Sequence, residues 1–248
     1  MQISAAATAA DKAKVDVLLV PAFEGDNPLA GYSYGETLAK SVVAGLFEGK
    51  AGDLVMVAGG DAVSANSVIL VGLGKVDEFK LASLRNGVCA AVRHPAIAKL
   101  KYKSAGVDLN GVIEAVGTGK KIACPGASDT VSNDGAYWVG QAVAEGLELG
   151  AYAYTKLFNK NDAKLDAAPK LAKATAFAKK GSTPLKAGLA DGQAVSHGVN
   201  LARDLCNDPN SHMMPADLAK VAQDESKGVA KLTCKVLQKA ELAKLKMG

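Results

Sequence analysis

The feature that most restricts this chain is the alternation, across its first half, of short apolar runs with stretches of helical period. Val15 to Val20 is apolar but too short for a helix, and Pro21 is expected to end it. A Gly/Pro/Asn loop follows from Gly25 to Gly31. Gly35 to Glu48 then sets Leu38, Val42, Leu46 and Phe47 at helical spacing, and Gly49 stops it. Asp53 to Ala58 and Ser67 to Gly72 read as strands separated by the turn Gly59-Gly60-Asp61. Leu81, Leu84, Val88 and Val92 describe a helix that Pro95 ends or kinks. Tyr102 to Leu109 and Gly111 to Val116 read as weaker strands, and Lys121 to Cys124 as a short one. Strand and helix in alternation specify an α/β fold, a sheet flanked by helices.

The strongest helix is expected over Asp134 to Phe158, where Val139, Val143, Leu147, Gly150, Tyr154 and Leu157 recur three or four apart. Asn133 or Asp134 is placed to cap it. Gly140, Gly146 and Gly150 each cost about 1 kcal/mol against Ala inside a helix, which points to close packing against a neighbour. Asn159 to Gly188 is rich in lysine, alanine and turn residues, with one strand at Ala172 to Ala178, and reads as a connector. Asp191 to Cys206 forms a second helix with Val195, Val199, Ala202 and Cys206 along one stripe, terminated by Asn207-Asp208-Pro209-Asn210. Pro215 suits the first position of the next helix, with Asp217 in its first turn. Lys231 to Leu237 alternates like a strand, and Lys239 to Lys246 begins another helix. The expected organisation is an N-terminal domain at 1–158, a connector at 159–188 and a further unit at 189–248.

Composition removes several function classes. No segment approaches the roughly 18–20 apolar residues of a membrane helix. Met1 to Lys14 lacks the basic start and apolar run of a secretory signal, so none is expected. Cys89, Cys124, Cys206 and Cys234 are widely spaced, which suits reduced thiols in a cytoplasmic protein. The formal charge is +4, and of 29 basic residues only Arg85, Arg93 and Arg203 are arginines. Lysine lacks the planar fork that reads guanine or grips phosphate twice. The lysines from Lys156 to Lys186 therefore read as a solvated connector, and nucleic acid is not an expected partner.

His94, His197 and His212 lack His-x-x-x-His spacing and give no zinc site. Asp204 and Asp208 beside Asn207 suggest a hard-cation site, but turn chemistry accounts for them. Gly117-Thr118-Gly119-Lys120-Lys121 lacks the upstream Gly of a phosphate loop and has Lys121 where Ser or Thr must hold magnesium, so a hairpin turn is expected. Ser182, Ser196 and Ser211 have no nucleophile-elbow context.

Six segments, in order along the chain, resemble the leucyl aminopeptidases of the two-metal cytosol aminopeptidase family. They are GKAGDLVMV (Gly49 to Val57), VILVGLGK (Val68 to Lys75), EGLELGAYAYTK (Glu145 to Lys156), NLARDLCNDP (Asn200 to Pro209), the Pro215 to Ala219 helix start, and ELAKLKMG (Glu241 to Gly248). Ser211 stands where the family usually has Asn, and Met214 where it commonly has a capping Thr. The resemblance implies a macro-domain-like mixed sheet, a linking helix and the opening of an α/β peptidase domain. It also implies hexameric relatives that release N-terminal residues from peptides with two divalent metals, zinc, manganese or magnesium. Such hydrolysis needs carboxylates converging on paired ions. The family's Lys-Gly…Asp and Asn-Thr-Asp-Ala-Glu-Gly-Arg segments are absent here, and neither Lys180-Gly181 nor Lys227-Gly228 is followed by the required Asp. No catalytic, metal or cofactor-binding residue is therefore carried over, and the 248 residues alone are expected to be inactive. A homo-oligomer is compatible with the resemblance. The alternative is a macro-like module binding a nucleotide, an ADP-ribose-like ligand or DNA.

Overall fold

The structure is a computed structural model that describes residues 1–117, 121–123, 132–159, 161–162 and 168–247. The chain divides into two compact units, residues 1–200 and 201–248.

The first unit is built on a six-stranded sheet ordered β1-β8-β5-β2-β4-β3. Its strands are β1 (Gln2–Ala6), β2 (Val17–Ala22), β3 (Leu54–Ala58), β4 (Ser67–Gly72), β5 (Ser104–Asp108) and β8 (Lys173–Phe177). All neighbours run parallel except β3, which lies antiparallel on β4. The strands β6 (Lys121–Ala123) and β7 (Ser132–Asp134) form a separate antiparallel pair.

The central strands β2 and β4 are buried throughout. Val17, Leu19, Ile69 and Val71 enter one core, while Leu18, Val20, Val68 and Leu70 enter another with Leu29, Tyr32 and Leu38. Burial on both faces is why these runs are continuously apolar rather than alternating. Pro21 does not end β2 but pairs with Val71 inside it. Its missing N–H is tolerated because the β5 ladder stops at Leu19.

The helices are α1 (Gly35–Ala39), α2 (Leu81–Val92), α3 (Pro95–Lys99), α4 (Asn110–Val116), α5 (Gly135–Ala151) and α6 (Ser182–Asn207). The helix expected to Glu48 ends at Ala39; beyond it Val43 and Leu46 are exposed and Gly45 takes a φ of 76°. Pro95 opens a helix instead of kinking one, with His94 as its cap. The strand expected at Gly111 to Val116 is the helix α4. Asp108 Oδ1 accepts hydrogen bonds from the Asn110 backbone (3.1 Å) and side-chain amides (2.7 Å), and Val112 and Ile113 turn inward. Asp134 caps α5, accepting from Ala136 N at 2.7 Å. That helix stops at Ala151 rather than Phe158, with the Arg93 guanidinium reaching the Leu149 carbonyl at 3.4 Å.

α5 lies between α2 and α6. A Cβ on Gly146 would stand 2.7 Å from the Arg85 carbonyl oxygen, and one on Gly150 2.9 Å from that of Cys89. On the other side Gly140 meets the Leu185 carbonyl at 2.5 Å, and a Cβ on Gly188 would overlap the Tyr137 carbonyl. The buried face of α6 is thus Leu185, Gly188, Leu189, Gly192 and Ser196. The stripe read from the sequence faces outward: Val195 is 47% and Val199 36% exposed. Glycine sets the packing face because it admits the neighbouring backbone.

The strand expected at Ala172 to Ala178 is β8, paired on both sides within the main sheet and not part of a link between units. The second unit contains α7 (Pro215–Lys227) and α8 (Lys239–Lys244), and neither buries a residue. Asp217 Oδ2 accepts from Met214 N at 3.0 Å, which closes the start of α7 without a capping side chain at Met214. Lys231 to Leu237 is not a strand; an alternating segment needs a paired neighbour, and none is present among the described residues.

Asp16 fastens the amino ends of the sheet. Its Oδ2 accepts from the Lys103 and Ser104 amides and the Ser104 hydroxyl, each at 2.8 Å. Burial pushes this carboxyl up, but the three hydrogen bonds together hold it below its ordinary value. A depressed folded-state value gives stability that is present above the unfolded value of about 3.9 and lost as pH falls through the folded one. Asp16→Asn is accordingly less stable than the parent at pH 7, and the difference in urea midpoint narrows below pH ~4. Gly188→Ala should cost about 1–3 kcal/mol by overpacking, whereas Gly198→Ala, with open space around it, should gain up to ~1 kcal/mol from helix propensity. Urea unfolding of both variants checks the pair.

Candidate functional site

Parallel sheets bind ligands beyond the carboxyl ends of their strands, where successive connections leave in opposite directions. Here that point lies at the ends of β2 and β5, since β4 lies on one side of β2 and β5 on the other. A hollow of about 360 Å³ opens there, lined by Phe23, Glu24, Asn27, Gly31, Gly111 and Glu114 among others. Its floor is rigid. The Tyr32 hydroxyl donates to the Pro21 carbonyl oxygen, and the Tyr34 hydroxyl donates to Asp108 Oδ2 at 2.9 Å.

Tyr32 and Tyr34 are buried, and desolvation together with the Asp108 charge pushes both hydroxyls far above their ordinary value. They stay protonated at every physiological pH, so they hold the floor and exchange no proton. Asp108 is spent on Tyr34 and on the start of α4. The arrangement can seat a small molecule, but among the described residues it presents no nucleophile with an adjacent base.

The residues singled out in the sequence are scattered. His94 Nδ1 accepts from Ala96 N at 3.3 Å as a helix cap. His197 is exposed on α6, and His212 Nδ1 lies 3.0 Å from the Ser211 hydroxyl on the surface of the second unit. Asp204 and Asp208 are joined through a backbone hydrogen bond of 3.0 Å at the end of α6. Ser182 begins α6, and Ser196 is buried within its inner face. The turn expected at 117–121 lies largely outside the described residues, as does Cys124. Among the described residues no three His, Cys, Asp or Glu side chains converge as metal ligands. These residues do not fit a two-metal centre. Sequence reasoning missed the Tyr32–Tyr34–Asp108 floor, because its partners are up to 74 positions apart.

The family model described as "Cytosol aminopeptidase family, N-terminal domain" matches residues 19–124. Over those residues the chain is similar to the N-terminal domain of the cytosol aminopeptidase family. Among curated relatives, a probable cytosol aminopeptidase of Solibacter usitatus is 30% identical over 250 residues, covering 100% of this chain and 44% of the relative. One from Alkaliphilus metalliredigens is 27% identical, covering 94% and 44%. The chain therefore spans under half the length of these relatives. Among solved structures, a tomato leucine aminopeptidase variant superposes with a TM-score of 0.74 at 20% identity, over 100% of this chain and 46% of that one. Bottromycin maturation enzyme BotP in complex with Mn gives 0.61 at 24% identity, over 93% and 40%. At these identities the two structures show the fold, a mostly parallel six-stranded sheet with helices.

Tyr34→Phe removes the donor to a carboxylate that is 3% exposed. We expect a loss of about 1–3 kcal/mol in urea unfolding, with no change in the far-ultraviolet circular dichroism spectrum.

Proposed function

We propose that this chain serves as the N-terminal portion of a leucyl aminopeptidase-type metallopeptidase. The whole protein would release N-terminal residues from peptides in the cytoplasm. Its two divalent metals, zinc, manganese or magnesium, would be held by side chains outside these 248 residues. The role of the present portion is scaffold, subunit contact and control of access to that active site. One observation carries the reading: relatives called probable cytosol aminopeptidases align along 94% and 100% of the chain while it covers 44% of their length. The second unit supports it, since Leu218, Val229, Leu232 and Leu245 are each more than half exposed, as expected of segments that further structure would cover. No helix among the described residues is long and apolar enough to cross a membrane.

The 248-residue polypeptide, purified and supplied with manganese, should not hydrolyse leucine p-nitroanilide. Metal-dependent turnover that co-elutes with the polypeptide would overturn the proposal.

A further inference from the structure

Helices α2 and α5 run side by side in the same direction, with Gly146 against Arg85 and Gly150 against Cys89. One and two turns before Gly146, the same face of α5 carries Ala142 and Trp138. There a hollow of about 220 Å³ opens between Leu81, Ala82 and Arg85 on α2 and Trp138, Ala142 and Glu145 on α5. A neighbouring hollow of about 430 Å³ shares Leu81 and Ala82 with it and is lined further by Val76, Phe79 and Val116. The two adjoin, one with a charged end and the other with mainly apolar walls.

The charged end is held from inside the fold. Glu145 is 8% exposed, and both of its carboxylate oxygens are engaged. Oε2 accepts from Arg85 Nη1 at 3.2 Å, and Oε1 accepts from Gln141 Nε2 at 3.0 Å. The guanidinium is thereby anchored to a buried partner while lining the hollow. A guanidinium has five N–H donors in a planar fork, and Glu145 takes one of them. Among the described residues Arg85 has no other hydrogen-bond or ion-pair partner. An oriented guanidinium edge suits a carboxylate, which it grips with two parallel N–H···O bonds.

We propose that the joined hollows bind a small amphipathic carboxylate, its head on Arg85 and its apolar tail over Leu81 and Ala82 toward Phe79 and Val116. Anchoring by Glu145 fixes the fork before the ligand arrives, which lowers the ordering cost of binding. Removing the tail from water adds the non-directional share of the affinity. A ligand of multiple negative charge fits less well, because the buried Glu145 carboxylate stands beside the same guanidinium. The site lies within the first unit and is independent of the peptidase reading.

Sodium octanoate, titrated below its micelle concentration into the full chain, tests this. Trp138 is the chain's one tryptophan and lines the smaller hollow, so its emission follows occupancy. The parent should bind saturably, and octanamide, with the same tail and no charge, should bind about tenfold more weakly. Arg85→Lys keeps a cation for Glu145 but loses the planar fork, and should weaken octanoate binding about tenfold. Ala82→Leu, at an exposed helical position, leaves the Arg85–Glu145 pair in place and should weaken both ligands by filling the shared wall. Lys80→Gln, in the lining of the larger hollow, should bind octanoate like the parent. Absence of a saturable change in the parent, or parental affinity in either Arg85→Lys or Ala82→Leu, would overturn the site. Equal affinity for octanoate and octanamide, or a loss in Lys80→Gln as large as that in Arg85→Lys, would overturn the assignment of Arg85 to the head group.

Discussion

The first unit depends on backbone-to-backbone contact between helices. α5 is pressed from one side by α2 and from the other by α6, and at each crossing a glycine stands where a side chain would hold the helices apart. Inside a helix a glycine costs about 1 kcal/mol in propensity. That cost is offset because close approach lets Val88, Val139, Val143, Leu147, Leu185 and Leu189 share one core with the sheet. The same core takes Val17, Leu19, Ile69 and Val71 from the central strands, so helix spacing and sheet position are set together.

Features governed by local chemistry were legible in the sequence. The bounds of β4, the cap at Asp134, the stop at Asn207 and the role of Pro215 all follow from a few adjacent residues. The glycines of α5 announced close packing. What they could not announce was the partner, because Leu185 and Arg85 lie far along the chain. The same limit hid the place of β8: its apolar run was visible, yet it lies between β1 and β5, and its pairing with β1 reaches across about 170 residues of chain. Gly111 to Val116 was misread because a short apolar run has no period long enough to distinguish strand from helix. Asp108, by taking the Asn110 amide, decides for helix.

The outward stripe of α6 shows how hydrophobicity misleads when glycine is present. Val195 and Val199 are the more apolar residues, but Gly188 and Gly192 form the face that packs. The polar candidates divide in a similar way. His94, Asp134 and Asp108 each satisfy backbone amides at a helix start, a common use for residues that otherwise suggest ligands. The Tyr32–Tyr34–Asp108 floor escaped notice because each member is unremarkable in sequence and gains meaning from burial alone.

The antiparallel strand β3 closes one border of the sheet, and Leu54, Val55, Met56 and Val57 are only half covered there. Such a border is a template for another extended chain. Asp53 precedes it, with its carboxylate tied to the Glu48 and Lys50 amides, and Gly59-Gly60-Asp61 follows it. A charge at each end of five uncharged residues limits how far a stranger could zip along the strand, so this margin is guarded by its ends and not along its length.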